Sequence, residues 1–263
     1  MATWDFYGKA ALLAGGATLI GRAIAAAFVA AGANVVIADI DEQGGQKAVE
    51  ELGDRCLFIR TDVTCDEDID ACIVAAVSNF GGIDFLVNVT TSYIDNGLET
   101  SRADWLRALD ISIVGGAMFM QKTAPHLIAR KGAVVNFSSI SAHRAQLGRF
   151  VYPAAKAAVA QLTRSQAMEL APHGVRVNAV APAWTWSNVM EALSGGDRAK
   201  TDRVGGAFHM AGRIGDAEEV ARAVLFLCSP DSAFVMGAEL PVDGGYLALG
   251  PERADNAIAA LMN

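Results

Sequence analysis

Ala10-Ala11-Leu12-Leu13-Ala14-Gly15-Gly16-Ala17-Thr18-Leu19-Ile20-Gly21 decides the fold of this 263-residue chain. The apolar run Ala10–Ala14 reads as a strand, and helical spacing runs over residues 20–31. Gly15 and Gly21 allow a tight turn between them and let backbone N–H groups at the helix N-terminus approach a pyrophosphate. A strand, a glycine turn and a helix in this order predict a dinucleotide site lined by Gly15, Thr18, Leu19, Ile20 and Gly21. Asp39 lies eighteen residues beyond Gly21, at the end of the second apolar run. A carboxylate there can accept hydrogen bonds from a ribose 2′-OH and would repel a 2′-phosphate. No Lys or Arg occupies residues 15–21, and Ile40 follows Asp39, so NAD is expected over NADP. The alternative for Asp39 is a solvated turn residue.

The rest of the chain repeats this alternation. Further strand-like runs cover 35–39, 56–62, 85–89, 133–138, 176–181 and 239–242. Helical patterns cover 67–80, 103–129, 154–170 and 217–227. Near-continuous apolar strands alternating with helices predict a parallel sheet covered on both faces, an α/β fold in one domain spanning 1–263. Asp216 and Glu219 form a helix-starting pair. Residues 183–215 are too long for a routine connection and are expected to be an irregular functional lid that binds substrate. Asp62 and Val63, ending the third run, are candidate contacts to the adenine edge.

Hydrophobic residues make up 52% of the chain and charged residues 19%, enough apolar material for a large core. A net charge of -8 without any basic run argues against nucleic acid and anionic membrane surfaces. No uninterrupted apolar stretch reaches membrane-spanning length, and residues 1–8 lack a signal-peptide layout. The four cysteines show no Cys-x-x-Cys spacing, which predicts reduced thiols, no metal site and a cytoplasmic protein.

The chemistry is read from Phe150-Val151-Tyr152-Pro153-Ala154-Ala155-Lys156. Tyr152 and Lys156, four apart on a helix, share one face. An ammonium beside a phenol favours phenolate, and Pro153 suits a first helical turn, putting Tyr152 at the helix entrance. Ser139, thirteen residues before Tyr152, can orient a carbonyl or alcohol against the phenol. These groups predict a proton-transfer site.

With the glycine turn, Ser139, Tyr152 and Lys156 in this order, the chain resembles the short-chain dehydrogenase/reductase family over residues 9–246. Leu86-Val87-Asn88, Val135-Asn136-Phe137-Ser138-Ser139, Val177-Asn178-Ala179-Val180-Ala181-Pro182 and Pro241-Val242-Asp243-Gly244-Gly245-Tyr246 support it. The resemblance implies a doubly wound, Rossmann-like sheet of about seven strands, a nicotinamide cofactor and a homotetramer joined through long helices and the C-terminal strand. It implies that Tyr152 exchanges the proton, that Lys156 lowers its pKa and holds the nicotinamide ribose, and that Ser139 orients substrate. It also places Asn88, Pro182 and Thr185 beside the cofactor.

The chain departs from the family pattern at several positions. Ala14 stands for Thr, Leu19 for Gly, and Asn88-Val89-Thr90-Thr91 for Asn-Asn-Ala-Gly. Leu19 puts a side chain where backbone is expected to approach phosphate. Thr91 takes a positive φ less readily than Gly. Ser112 aligns with the Asn that positions a relay water behind the lysine, and is expected to hold that water instead. Ala183 and Ser187 replace the Gly and Thr that commonly follow Pro182.

Tyr93, His143, Arg149, Trp184 and Trp186 are the expected substrate contacts, with Gln146, Met190, Phe208 and Met210 near them. Two tryptophans in one loop bring large apolar area with a single polar handle each. The function expected is NAD-dependent interconversion of a secondary alcohol and a ketone on an apolar or cyclic small molecule, running toward oxidation. The alternatives are a catalytically impaired NAD-binding regulatory protein and an NADP-linked acyl-carrier reductase, which Asp39 opposes.

Overall fold

The computed structural model describes residues 4–250; residues 1–3 of the N-terminal stretch lie outside them. Strands β1 (Ala10–Ala14), β2 (Asn34–Asp39), β3 (Cys56–Arg60), β4 (Phe85–Asn88), β5 (Ala133–Phe137), β6 (Arg176–Pro182) and β7 (Glu239–Val242) form one sheet. Their order is β3-β2-β1-β4-β5-β6-β7, and every neighbouring pair is parallel. The winding reverses between β1 and β4, and at such a switch point the carboxyl ends of the strands open a crevice for ligands. This is the parallel sheet that the alternation predicts and the Rossmann-like, doubly wound fold that the family resemblance implies.

The helices are α1 (Leu19–Ala30), α2 (Glu42–Leu52), α3 (Asp66–Phe80), α4 (Arg102–Leu109), α5 (Gly115–Arg130), α6 (Val151–Leu170), α7 (Asn188–Ser194), α8 (Arg198–Gly206) and α9 (Ala217–Cys228). Successive strand side chains point to opposite faces, so the central strands feed two cores. Leu13, Val35 and Ile37 pack with Ile24 and Phe28 of α1 and Val220 and Val224 of α9. Leu12, Val36 and Leu86 pack with Ile69 of α3, Phe119 of α5 and Leu170 of α6. Each such side chain, wholly removed from water, contributes roughly 1.5–3 kcal/mol.

The amino-terminal edge of the sheet is pinned by Asp84. Its carboxylate accepts from Lys9 Nζ at 2.9 Å and from the Ala10 N–H at 3.0 Å. Its backbone N–H donates to Ala10 O and its carbonyl accepts from the Ala133 N–H, both at 2.9 Å. One buried residue thus joins the entrances of β1, β4 and β5.

Three local features differ from the sequence reading. Helix α2 escapes the periodicity because Gly44 and Gly45 are poor helix formers. The Asp41 carboxylate nevertheless caps it through the Gly44 N–H at 3.0 Å, and Gly45 leaves room that the Phe58 ring fills. The expected helix over 103–129 is broken by a π-turn at Asp110–Val114 into α4 and α5. The lid over 183–215 is not wholly irregular but contains α7 and α8, capped by Ser187 and Asp197. Helix α9 starts as expected, with the Glu219 carboxylate accepting from the Asp216 N–H at 2.8 Å.

Candidate active site

A cleft of about 1130 Å³ opens along the carboxyl ends of the strands. That exceeds the roughly 300–1,000 Å³ that holds a drug-sized ligand, leaving room for a dinucleotide and a second small molecule. Its dinucleotide end is built on the β1–α1 turn. Gly15 has φ +86°, and a Cβ there would fall 2.7 Å from Thr90 N. Gly21 lets the turn close, since a Cβ on it would meet Gly15 O at 2.5 Å. Thr18 caps α1 by accepting from the Gly21 N–H at 3.1 Å. Gly15, Thr18 and Ile20 line the cleft with Asp39, Asp62 and Val63. The Asp39 carboxylate is held at the rim by the Ala17 N–H at 3.0 Å and the Asp41 N–H at 3.1 Å. Asp62 accepts from Thr64 Oγ1 at 2.7 Å, and those hydrogen bonds hold its carboxyl below the usual range.

Two features of this end fit a polar ligand. The backbone cradle at Gly15 is one that a side chain would fill. Thr90 Oγ1, buried in the same wall, has no hydrogen-bond partner in the chain.

Leu19 is absent from the cleft wall; it lines a separate hollow with Arg22, Ala23 and Glu218. Its backbone N–H donates to Asn188 Oδ1 of α7 at 2.8 Å. The leucine at the expected glycine position therefore does not fill the phosphate site. Thr91 needs no positive φ either: Lys131 is the one non-glycine residue with positive φ among the described residues.

The reacting end is built where β5 and α6 meet. Ser139, Tyr152 and Lys156 line the same cleft. Asp95 accepts from the Phe150 N–H at 2.8 Å and the Tyr152 N–H at 2.9 Å, capping the entrance of α6 with the carboxylate that Phe150 itself lacks. Lys156, 2% exposed, donates from Nζ to Phe137 O at 2.7 Å, and its Nζ lies 5.6 Å from the Tyr152 ring centroid. The Tyr93 ring stacks on Tyr152 at 5.2 Å, and the Arg149 guanidinium lies 5.7 Å from the same ring.

Burial raises the Tyr152 phenol above its usual pKa, while hydrogen bonding to Ser139, the charge of Arg149 and hydrogen bonding to Tyr93 act the other way. Burial lowers the Lys156 amine itself to about 7.

Other candidates fall elsewhere. Asn88 turns beneath the sheet, donating from Nδ2 to Asn136 Oδ1 at 2.9 Å, while Asn136 donates to Thr163 and Gln166. It links β4 through Asn136 to helix α6 and is not among the residues lining the cleft, although its own Oδ1 is buried without a partner among the described residues. Ser112, 6% exposed in the π-turn, accepts from the Ser92 N–H at 2.9 Å and does not line the cleft. His143 faces outward to Glu239 Oε2, 2.7 Å away. Trp186 packs under Arg198 at 5.7 Å and is outside the cleft wall, as is Met210. Pro182, Trp184, Thr185, Met190 and Phe208 do line it, with Trp184 tilted against Phe208 at 5.8 Å.

The sequence reading missed Asn188, Leu147 and Tyr246, which also line the cleft. Asn188 follows the helix-capping Ser187 directly, the one local signal that could have drawn attention to it. Cys56, Cys72 and Cys228 are buried and unpaired, and burial raises their thiols to about 11, 12 and 12. Among the described residues no cluster of His, Cys, Asp and Glu could hold a metal ion, and no helix is long and apolar enough to cross a membrane.

Comparison with known proteins agrees with this geometry. A family model described as Enoyl-(Acyl carrier protein) reductase matches residues 15–247. A cis-4-hydroxycyclohexanecarboxylate dehydrogenase of Sinomonas cyclohexanicum is 39% identical over 93% of this chain and 98% of its own length. An L-fucose dehydrogenase of Oryctolagus cuniculus is 36% identical over 94% of this chain and 88% of its own. A crystal structure from Brucella melitensis, a short-chain dehydrogenase/reductase titled glucose/ribitol dehydrogenase, superposes with TM-score 0.86 at 32% identity, covering 93% of this chain and 98% of that one. Matches of this extent, joined to a parallel sheet that brings Ser139, Tyr152 and Lys156 into one cleft with the Gly15 turn, show that the chain belongs to the short-chain dehydrogenase/reductase family of oxidoreductases.

Proposed function

We propose that the chain is an NAD-dependent dehydrogenase that oxidises an apolar or alicyclic secondary alcohol to its ketone. The observation that carries the reading is the convergence of Ser139, Tyr152 and Lys156 in one wall, continuous with Gly15 and Asp39. Thr18 and Ile20 at the start of α1 are positioned to hold the pyrophosphate, and Asp39 the adenosine ribose. Two carboxylate oxygens and the apolar Ile40 at that rim disfavour a 2′-phosphate, which supports NAD over NADP. The bound nicotinamide supplies the hydride acceptor.

The chain's own residues handle the proton. Ser139 orients the carbinol oxygen, and Tyr152 Oη takes its proton as the phenol's own proton passes on to Lys156. Lys156 Nζ, on the same helix and largely neutral above about pH 7, is the adjoining group that can take a proton on. Helices α7 and α8 and the pair Trp184–Phe208 line the cleft, and the apolar surface of Trp184, Met190 and Phe208 favours a hydrocarbon frame on the substrate. Names of the relatives support the class: one acts on a hydroxylated cyclohexane ring and another on L-fucose.

The test is reduction of NAD and NADP with a panel of cyclic and acyclic secondary alcohols. NAD-linked turnover of cyclic alcohols that is lost in Tyr152→Phe is expected. Activity retained within a few-fold in that variant would remove Tyr152 from the role of base. Tight NAD binding with no turnover would instead favour a regulatory protein. We extend the proposal to a cytoplasmic homotetramer, supported by the exposed Leu106, Val114 and Met168 along the long helical segments; native mass tests the assembly.

A further inference from the structure

We propose that the substrate is a hydroxy acid, its carboxylate held by Arg149 while its carbinol meets Ser139 and Tyr152. This rests on the alcohol-oxidising reading above and names the substrate class of that site. The cleft wall carries two carboxylates, Asp39 and Asp62, and both belong to the dinucleotide end. At the reacting end the charged groups are cations. Lys156 is sealed at the base and bonded to Phe137 O. Arg149 is half-buried and lies over the face of Tyr152.

No carboxylate among the described residues lies within salt-bridge distance of the Arg149 guanidinium. Arg22, Arg60, Arg198 and Arg213 each have an acidic partner; among the unpaired arginines of the described residues, Arg149 is the one that lies in the cleft wall over the Tyr152 ring. Asp95, which caps the entrance of α6, has its oxygens on the N–H groups of Phe150, Tyr152 and Gly97. Arg149 also stands at the end of an open turn: Leu147 is fully exposed, and nothing lies within 4 Å of a Cβ built at Gly148.

A guanidinium in such a place presents a planar fork of donors that matches a carboxylate in two parallel hydrogen bonds. Leu147, Trp184, Met190 and Phe208 add apolar surface to the wall of the same cleft. The arrangement fits an apolar frame with one anionic substituent set across the frame from the reacting carbon. Its guanidinium is 5.7 Å from the Tyr152 ring centroid, close enough for one small molecule to meet both groups.

The experiment compares cis-4-hydroxycyclohexanecarboxylate, its methyl ester and cyclohexanol as alcohol substrates with NAD. In the wild type, kcat/KM for the acid is expected to exceed that for the ester by at least about 10-fold, through KM. In Arg149→Met the acid-to-ester ratio is expected to fall by about 10- to 100-fold, the range for losing a charge-assisted pair. Arg149→Lys keeps the charge without the fork and is expected to restore part of that ratio. Equal use of acid, ester and cyclohexanol by the wild type would overturn the hydroxy-acid assignment while leaving the dehydrogenase reading intact. A ratio unmoved in Arg149→Met, with both substrates slowed together and the pH profile displaced, would also overturn it, by assigning Arg149 to Tyr152 alone. Failure of every alcohol to reduce NAD would bring down the activity itself, and this inference with it.

Discussion

Replacing Lys156 with Met tests whether the active site is held at the expense of stability. The lysine is 2% exposed, has no carboxylate partner and is lowered to about 7 from 10.5 by burial. The unfolded chain therefore holds a proton that the folded chain releases between those two values. Stability contributed at this position must rise with pH across that window and be lowest below about pH 7. At about 1.4 kcal/mol per tenfold in proton affinity, the cost of folding with this lysine is on the order of 5 kcal/mol at pH 6 and falls steadily as pH rises toward 10. Methionine fills similar volume without a charge, and forfeits about 1 kcal/mol from the bond to Phe137 O. The variant is expected to be more stable than the wild type by about 4 kcal/mol at pH 6, which is about 10 °C in Tm for a chain of this size. At pH 9.5 most of the advantage is lost. Denaturant titration of both proteins at the two pH values measures it, with dehydrogenase activity expected to fall at least about 100-fold. A variant less stable than the wild type at pH 6, or a difference independent of pH, would refute the account of Lys156 as a buried, unpaired amine.

Other substitutions probe the remaining parts of the site. Asp39→Asn removes the rim charge while keeping an oxygen for the Ala17 N–H, and should move the NADP-to-NAD ratio of kcat/KM upward by about 10- to 100-fold. Gly15→Ala forces a side chain at φ +86° against Thr90 N. It should destabilise the protein by about 2–4 kcal/mol, whereas Gly8→Ala, at φ +75° with open space around it, should lose about 1 kcal/mol. Asn136→Ala leaves Asn88, Thr163 and Gln166 without their shared partner. A loss of about 2–4 kcal/mol is expected in denaturant midpoint, with KM for NAD little changed.

The fold was legible because its signal is repeated. Seven apolar runs separated by helix-length segments leave few arrangements, and the strand bounds at Ala10–Ala14 and Glu239–Val242 match the structure. What periodicity missed were places where a local device overrules propensity: the Asp41 cap on a glycine-bearing α2, and the π-turn at Ser112. In the cleft, Ser139, Tyr152 and Lys156 came together because strand end and helix entrance fix them through the backbone. Asn88, His143 and Trp186 did not, because sequence spacing places a residue on an element without showing which way its side chain turns. Asn88 points to Asn136, His143 to Glu239 and Trp186 to Arg198. Arg149 was named as a polar contact, but that no acid answers it becomes visible only once every neighbouring carboxylate has been located.

The Asp84 clasp has a wider consequence. It fastens β1, β4 and β5 at their entrances, at the opposite edge from every residue that does chemistry. Register is thus settled where no ligand ever comes, and the exits of the strands are spared that duty. A lineage built this way can trade Trp184, Arg149 or Leu147 for other side chains, one recognition surface for another, without loosening the platform beneath. The tolerance of this scaffold to changes of specificity is, in part, anchored in a carboxylate on its far side.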